Sequence, residues 1–259
     1  MLYTIAWEGA HLVKTYRTLQ HWDHWLSRFL GARVLEAEQK ILTRICAERY
    51  GKHAVLIGVP RQHTLLNASH ISNRVIMSPL VNKFKDVQTI ESDFYELPII
   101  PGSIDLVILP HTLDFIDNPH RLLLEACRIV KPEGDIIIMG FNPLSLWGLK
   151  KYMSKNKNSP WNGNFIAVSK VVEWLKLADF QIMQEDMLFF RPPVTHEKTF
   201  HKLRFLEWIG RKCFMPFGGI YTLTAKAKVI PLMPIKLLWK QKIAPLSATF
   251  SGPSMRDGK

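Results

Sequence analysis

The chain has only three cysteines in 259 residues, Cys46, Cys127 and Cys213, and they stand far apart. An odd, scattered set is neither a disulfide framework nor a thiolate metal site, so a reducing, cytoplasmic setting is expected. Long apolar runs are missing too. No stretch reaches the eighteen or more apolar residues of a membrane span. The N-terminal MLYTIAWEGAHLVKTYR lacks the basic start, apolar stretch and small-residue cleavage site of a secretory signal. Glycine is sparse, at 14 residues, and no glycine-rich dinucleotide fingerprint with its acidic partner is present, which argues against a dehydrogenase. Acidic residues number 22 against 34 basic ones, and the imbalance is local: residues 191–259 hold 13 of the basic residues but only 3 of the acidic ones. That bears on polyanions and acidic membrane surfaces and says little about fold.

What is present is a globular pattern, with 47% apolar residues and no internal repeat. The first fifty residues read as helical: Trp22, Trp25, Leu26, Phe29 and Leu30 recur at three- and four-residue spacing, as do Leu35, Ile41, Leu42 and Ile45. Gly31 is expected to divide two helices. From Lys52 the texture changes to short Val/Ile runs at 53–58, 74–78, 86–90, 104–109 and 135–139. Runs without polar alternation suit strands buried on both faces, and the segments between several of them can hold crossover helices. The clearest is Pro119 to Val130, with Asp117 or Asn118 as cap and proline just inside the start. Lys131-Pro132-Glu133-Gly134 is expected to turn the chain into the next strand. The pattern predicts an α/β fold with a mostly parallel sheet.

Beyond it, residues 150–164 read as a polar loop, Val168 to Leu177 as an amphipathic helix, Phe180 to Phe190 as a strand and His196 to Lys212 as helical. Gly219 to Val229 alternates Tyr221, Leu223, Ala225 and Ala227 against Thr222, Thr224, Lys226 and Lys228. Alternation predicts an edge strand or one solvated face. Residues 1–50 are taken as an N-terminal helical cap, 51–230 as the α/β domain and 231–259 as a basic tail.

In an open parallel sheet, ligands bind beyond the carboxyl ends of the strands, where strand order reverses. The candidate site is therefore the loops after the strands: 58–62, 78–79, 92–94, 110–112 and 141–143. Here the residues resemble a family. Ser92-Asp93, Glu96-Leu97-Pro98 and Pro101-Gly102-Ser103-Ile104-Asp105-Leu106-Val107 are similar to strands three and four of class I S-adenosylmethionine (SAM)-dependent methyltransferases of the type 11 group. Pro110-His111-Thr112-Leu113-Asp114-Phe115 resembles the His-containing segment after strand four. Glu125 to Gly134 resembles the helix and Lys-Pro-Gly-Gly turn before strand five. The match covers residues 52–145, and Phe141 to Gly148 with Gly218 to Tyr221 resembles a branch of methyltransferase-like bacterial proteins. The resemblance implies a Rossmann-like seven-stranded sheet with the last strand antiparallel, SAM as cofactor and methyl transfer to a small-molecule or lipid-like acceptor.

Carried onto this chain, the resemblance implies cofactor contacts at Gly58, Val59, Ser78, Asp93, Phe94 and Pro110. Two of these positions depart from the family. Its Gly-x-Gly-x-Gly turn is Gly58-Val59-Pro60-Arg61-Gln62 here, and Pro60 fixes φ and removes a donor. The acid expected at the end of strand two, which holds the ribose, is Ser78. Asp93 is retained on the adenine side. Histidine ordinarily titrates near neutrality, and His111 sits in the loop where a general base is useful, with Asp114 one helical turn on. Gly58 reads equally as a strand-end glycine, and His111 as a hydrogen-bonded loop anchor.

His21 and His24 can meet on a helix face, but no third ligand stands at a metal spacing, so packing or surface roles are expected and no metal. Trp7, Trp22 and Trp25 read as core or as a lid. The basic, apolar stretch from Pro231 to Lys242 could touch anionic lipid or RNA. A non-catalytic binding or scaffold protein of the same fold is the other reading.

Overall fold

A computed structural model describes residues 2–80, 84, 87–154, 160–203, 206–207, 210, 215–229 and 252. The chain divides into two units, Met1–Val229 and Ile230–Lys259. The expected basic tail, 231–259, lies outside the described residues apart from Gly252, as do residues 155–159 of the stretch 150–164.

The first unit opens with α1 (Leu2–Leu26) and α2 (Phe29–Cys46). They part at Ser27 and Arg28 rather than at Gly31. Gly31 serves close approach instead, because a Cβ there would lie 2.4 Å from the carbonyl oxygen of Trp25. The strands β1 (His53–Ile57), β2 (Asn73–Ser78), β3 (Gln88–Glu91), β4 (Ile104–Pro110), β5 (Val130–Phe141), β6 (Phe180–Leu188) and β7 (Ile220–Ala227) follow. They form one sheet in the order β3-β2-β1-β4-β5-β7-β6. β1 to β5 pair in parallel and β7 runs antiparallel to both β5 and β6. The Rossmann-like, seven-stranded expectation holds.

Parallel strands must be covered on both faces. β4 is buried at all seven positions, and α3 (Pro119–Ile129) packs against β5 with Leu122, Leu123, Ala126 and Ile129 buried. Asn118 caps α3 by accepting from the Arg121 N–H at 3.1 Å, with Pro119 at the first helical position. α4 (Leu146–Met153), α5 (Val168–Leu177) and α6 (Glu197–Lys202) complete the helices used below. α4 takes up the start of the stretch expected to be loop. Residues 131–134 do not separate helix from strand: β5 starts at Val130, and its register with β4 jumps from Ile104↔Val130 to Leu106↔Asp135. Glu133, at φ 63°, absorbs the extra residues as a bulge.

β7 corrects a second expectation. It is an interior strand, and Ile220 to Ala225 are all buried. The alternation misleads because threonine is β-branched and carries a methyl, so Thr222 and Thr224 pack almost as valine would. The edge is β6, where Gln181, Met183, Gln184 and Glu185 are exposed.

Candidate functional site

Strand order reverses between β1 and β4, so the carboxyl ends of these two strands frame the expected crevice. After β1 a 3-10 helix runs from Pro60 to Ala68, and after β4 another runs from Thr112 to Phe115. The helical cap packs over both. Asp23 of α1 accepts from the Arg61 N–H at 2.8 Å, and its other oxygen lies 3.3 Å from Arg61 Nε.

The crevice is stitched shut. Gln62, wholly buried, donates from Nε2 to the Pro110 carbonyl at 2.9 Å and accepts at Oε1 from the Val59 N–H at 3.0 Å. Thr112 Oγ1 donates across the same gap to the Ile57 carbonyl at 2.5 Å. A Cβ at residue 58 would lie 2.4 Å from Gln62 Oε1. Gly58 is thus glycine because Gln62 fills the space above it.

Beside this lies a buried ionic cluster. His111 is fully buried and sits at φ 58°, an uncommon conformation for a residue with a side chain. Its Nε2 meets Glu38 Oε1 of α2 at 2.6 Å and its Nδ1 meets Asp114 Oδ2 at 3.1 Å. The same Asp114 oxygen accepts from the Phe141 N–H at 3.0 Å. Burial alone would depress the His111 pKa, but the Glu38 and Asp114 carboxylates outweigh it and push it up to about 9. Trp22 closes the top, with ring centroids 4.5 Å from Phe115, 5.3 Å from His111 and 5.8 Å from Phe141. His111 and Asp114 therefore come together, but as an anchor for the cap. A general base must reach its proton, and in this conformation His111 is walled off on every side.

The open pocket lies one step along the sheet, at the carboxyl ends of β2 and β3. Its volume is about 610 Å³, and its lining includes Leu19, Pro79, Glu91, Asp93, Phe94 and Arg121. The floor is apolar, since Leu19, Phe94 and Ile116 are nearly or wholly buried. The rim is charged. Asp93 is exposed and accepts from the Tyr95 N–H at 3.2 Å through Oδ1. The Arg121 guanidinium stands 5.2 Å over the Tyr95 ring, and Asn118 N–H donates to the Tyr95 hydroxyl at 3.0 Å.

Of the expected cofactor contacts, Asp93 and Phe94 line this pocket. Gly58, Val59 and Pro110 gather at the crevice, where Gln62 joins them. Ser78 is corrected: it is fully buried and its Oγ accepts from the Leu80 N–H at 3.1 Å, which makes it a turn former rather than a ribose ligand. Glu91, its neighbour in register, lines the pocket instead. Sequence reading missed Glu91, Gln62 and Glu38. Only Gln62 had a local signal, standing at the third position of a helix begun by Pro60. Among the described residues no His, Cys, Asp and Glu group is placed to hold a metal, and no helix is long and apolar enough to cross a membrane.

Residues 42–138 match the family model described as Methyltransferase domain, of the type 11 group. A protein of Escherichia coli (strain K12), Uncharacterized protein YafS, is 29% identical over 214 residues, covering 81% of this chain and 82% of that protein. Among solved structures, a SAM-dependent methyltransferase from Thermotoga maritima superposes with a TM-score of 0.59 at 17% identity, covering 82% of this chain and 97% of that one. The [4+2]-cyclase SpnF superposes with a TM-score of 0.53 at 14% identity, covering 74% of this chain and 80% of that one.

Proposed function

We propose that this chain, which carries a class I methyltransferase domain of the type 11-like family, is a SAM-dependent methyltransferase that seats the adenosine part of its cofactor beside Asp93. The observation that carries this is the open pocket at the ends of β2 and β3. At about 610 Å³ it falls within the range of roughly 300–1,000 Å³ usual for small-molecule sites. A purine can lie on Phe94, Leu19 and Ile116 with its exocyclic amino group donating to Asp93. Glu91 stands where a carboxylate can accept from ribose hydroxyls. The acceptor is a small or lipid-like molecule, taken from the class the resemblance implies.

The residues present fit the nucleoside and not the amino-acid end of SAM. Gln62 occupies the space that end would need, and the cap covers His111. Calorimetry on the full chain with SAM, S-adenosylhomocysteine and adenosine tests the reading. Saturable binding that weakens about tenfold in Asp93→Ala supports it, on the scale of one hydrogen bond to a charged group. No binding of any of the three at millimolar concentration refutes it.

The closed crevice favours one further reading, a non-catalytic nucleoside-binding protein on the same fold, and the likeness to a cyclase shows that this fold hosts other chemistry. Formation of S-adenosylhomocysteine from SAM in the presence of small-molecule and lipid extracts separates the two. Contact of residues 191–259 with RNA or anionic membranes is a separate proposal. It predicts steeply salt-dependent binding whose affinity and salt dependence both fall when the chain is ended at Val229.

A further inference from the structure

Every backbone N–H of the loop after β1 is already committed. Gly58 N–H donates to the Met77 carbonyl at 3.0 Å, Val59 N–H to Gln62 Oε1 at 3.0 Å, Arg61 N–H to Asp23 Oδ1 at 2.8 Å and Gln62 N–H to the Val59 carbonyl at 3.0 Å. Pro60 has none. A carboxylate entering here would meet no free donor. It would also meet no space, because Gln62 lies over Gly58 and is itself fully buried.

The position of this filled crevice matters. The open pocket sits at the ends of β3 and β2, and the crevice sits at the ends of β1 and β4, the next strands in the sheet. Neighbouring strands are about 4.8 Å apart, so a nucleoside in the pocket reaches the crevice with a substituent two strand spacings long. Such a substituent, extended from the 5′ carbon toward β1, runs into Gln62.

We infer that Gln62 is a specificity-determining residue of this site: its amide holds the place of the ligand's 5′ extension, so the chain reads the nucleoside and gains nothing from an amino-acid end until Gln62 withdraws. This rests on the adenosine pocket proposed above. Removing the side chain frees the Val59 N–H, the Pro110 carbonyl and the space over Gly58 together. These are a donor, an acceptor and a cavity suited to a zwitterionic amino acid.

The test is calorimetry on the full-length wild type, Gln62→Ala and Gln62→Met with two probes, adenosine and S-adenosylhomocysteine. The wild type is expected to bind both within about threefold of each other. In Gln62→Ala, S-adenosylhomocysteine is expected to bind at least tenfold tighter than to the wild type, with adenosine unchanged. Gln62→Met keeps the bulk and is expected to behave as the wild type does. The inference is overturned if the wild type already binds S-adenosylhomocysteine tenfold or more tighter than adenosine. That comparison decides even if Gln62→Ala does not fold. It is equally overturned if Gln62→Ala leaves the ratio of the two affinities unchanged. Failure of adenosine itself to bind the wild type removes the pocket reading, and the inference falls with it.

Discussion

The Glu38–His111–Asp114 cluster makes the stability of this protein depend on pH in a way that Glu38→Gln should erase. His111 has its pKa raised from an ordinary 6.5 to about 9 in the folded chain. A raised histidine contributes stability that is fully present below its unfolded pKa and is lost as pH climbs through the folded value. The window is therefore pH 6.5 to 9. At about 1.4 kcal/mol per pKa unit, the contribution lost across it is roughly 3 kcal/mol. Set against a typical domain stability of about 5–15 kcal/mol, that is a large share. Tyr221, buried nearby and sensing Asp114, is pushed well above 10 by burial, so it titrates outside the window. Glu38 is the largest of the influences raising His111 and lies 2.6 Å from it. Glutamine keeps the shape and an acceptor oxygen but removes the charge. The pH dependence between 6.5 and 9 should shrink by half or more, and the variant should be the less stable protein at pH 6. Urea unfolding followed by tryptophan fluorescence at several pH values reads both quantities. Equal slopes for wild type and Glu38→Gln across the window would refute the charged-imidazole account.

Three further outcomes are expected. Gly58→Ala should destabilise by about 1–3 kcal/mol, the cost of forcing a methyl into filled space, and the same change made in a Gln62→Ala background should cost much less, because the side chain it collides with is gone. Additive effects in that cycle would mean that the two side chains do not compete. Trp22→Ala removes a ring 1% exposed that packs on Trp25, Phe115, His111 and Phe141, and urea unfolding should show a loss of about 3–5 kcal/mol. A loss under 1 kcal/mol would show that α1 does not seal the strand ends. Asp93→Asn should weaken adenosine binding while the melting temperature moves by no more than about two degrees, since the side chain is exposed and its amide oxygen still accepts from Tyr95. A drop in melting temperature matching the loss of binding would assign Asp93 a structural role.

The parallel half of the sheet was legible because its physics is local. Strands buried on both faces must be apolar at consecutive positions, so 53–57 and 104–110 announce themselves. Pro119 behind Asn118 marks a helix start by capping chemistry alone. The edge assignment for 220–227 failed because threonine looks polar in a sequence, whereas its environment is set by which strands flank it. Asp93 was legible from its place after β3, and it does line a pocket. Ser78 was not, since a serine oxygen serves a turn or a ligand according to where the next two residues go.

The order of residues alone determined that this chain builds an α/β sheet under a helical cap, since hydrophobic period and capping act over a few residues. It also located the loops at the carboxyl ends of the strands, where open α/β sheets take their ligands. Only the tertiary structure decided what fills them. Gln62 reaches Pro110, 48 positions away, and His111 meets Glu38 across 73. Such contacts depend on how β1, β4 and α2 are stacked, and no local pattern records whether an amide or a ligand takes the space between two strand ends.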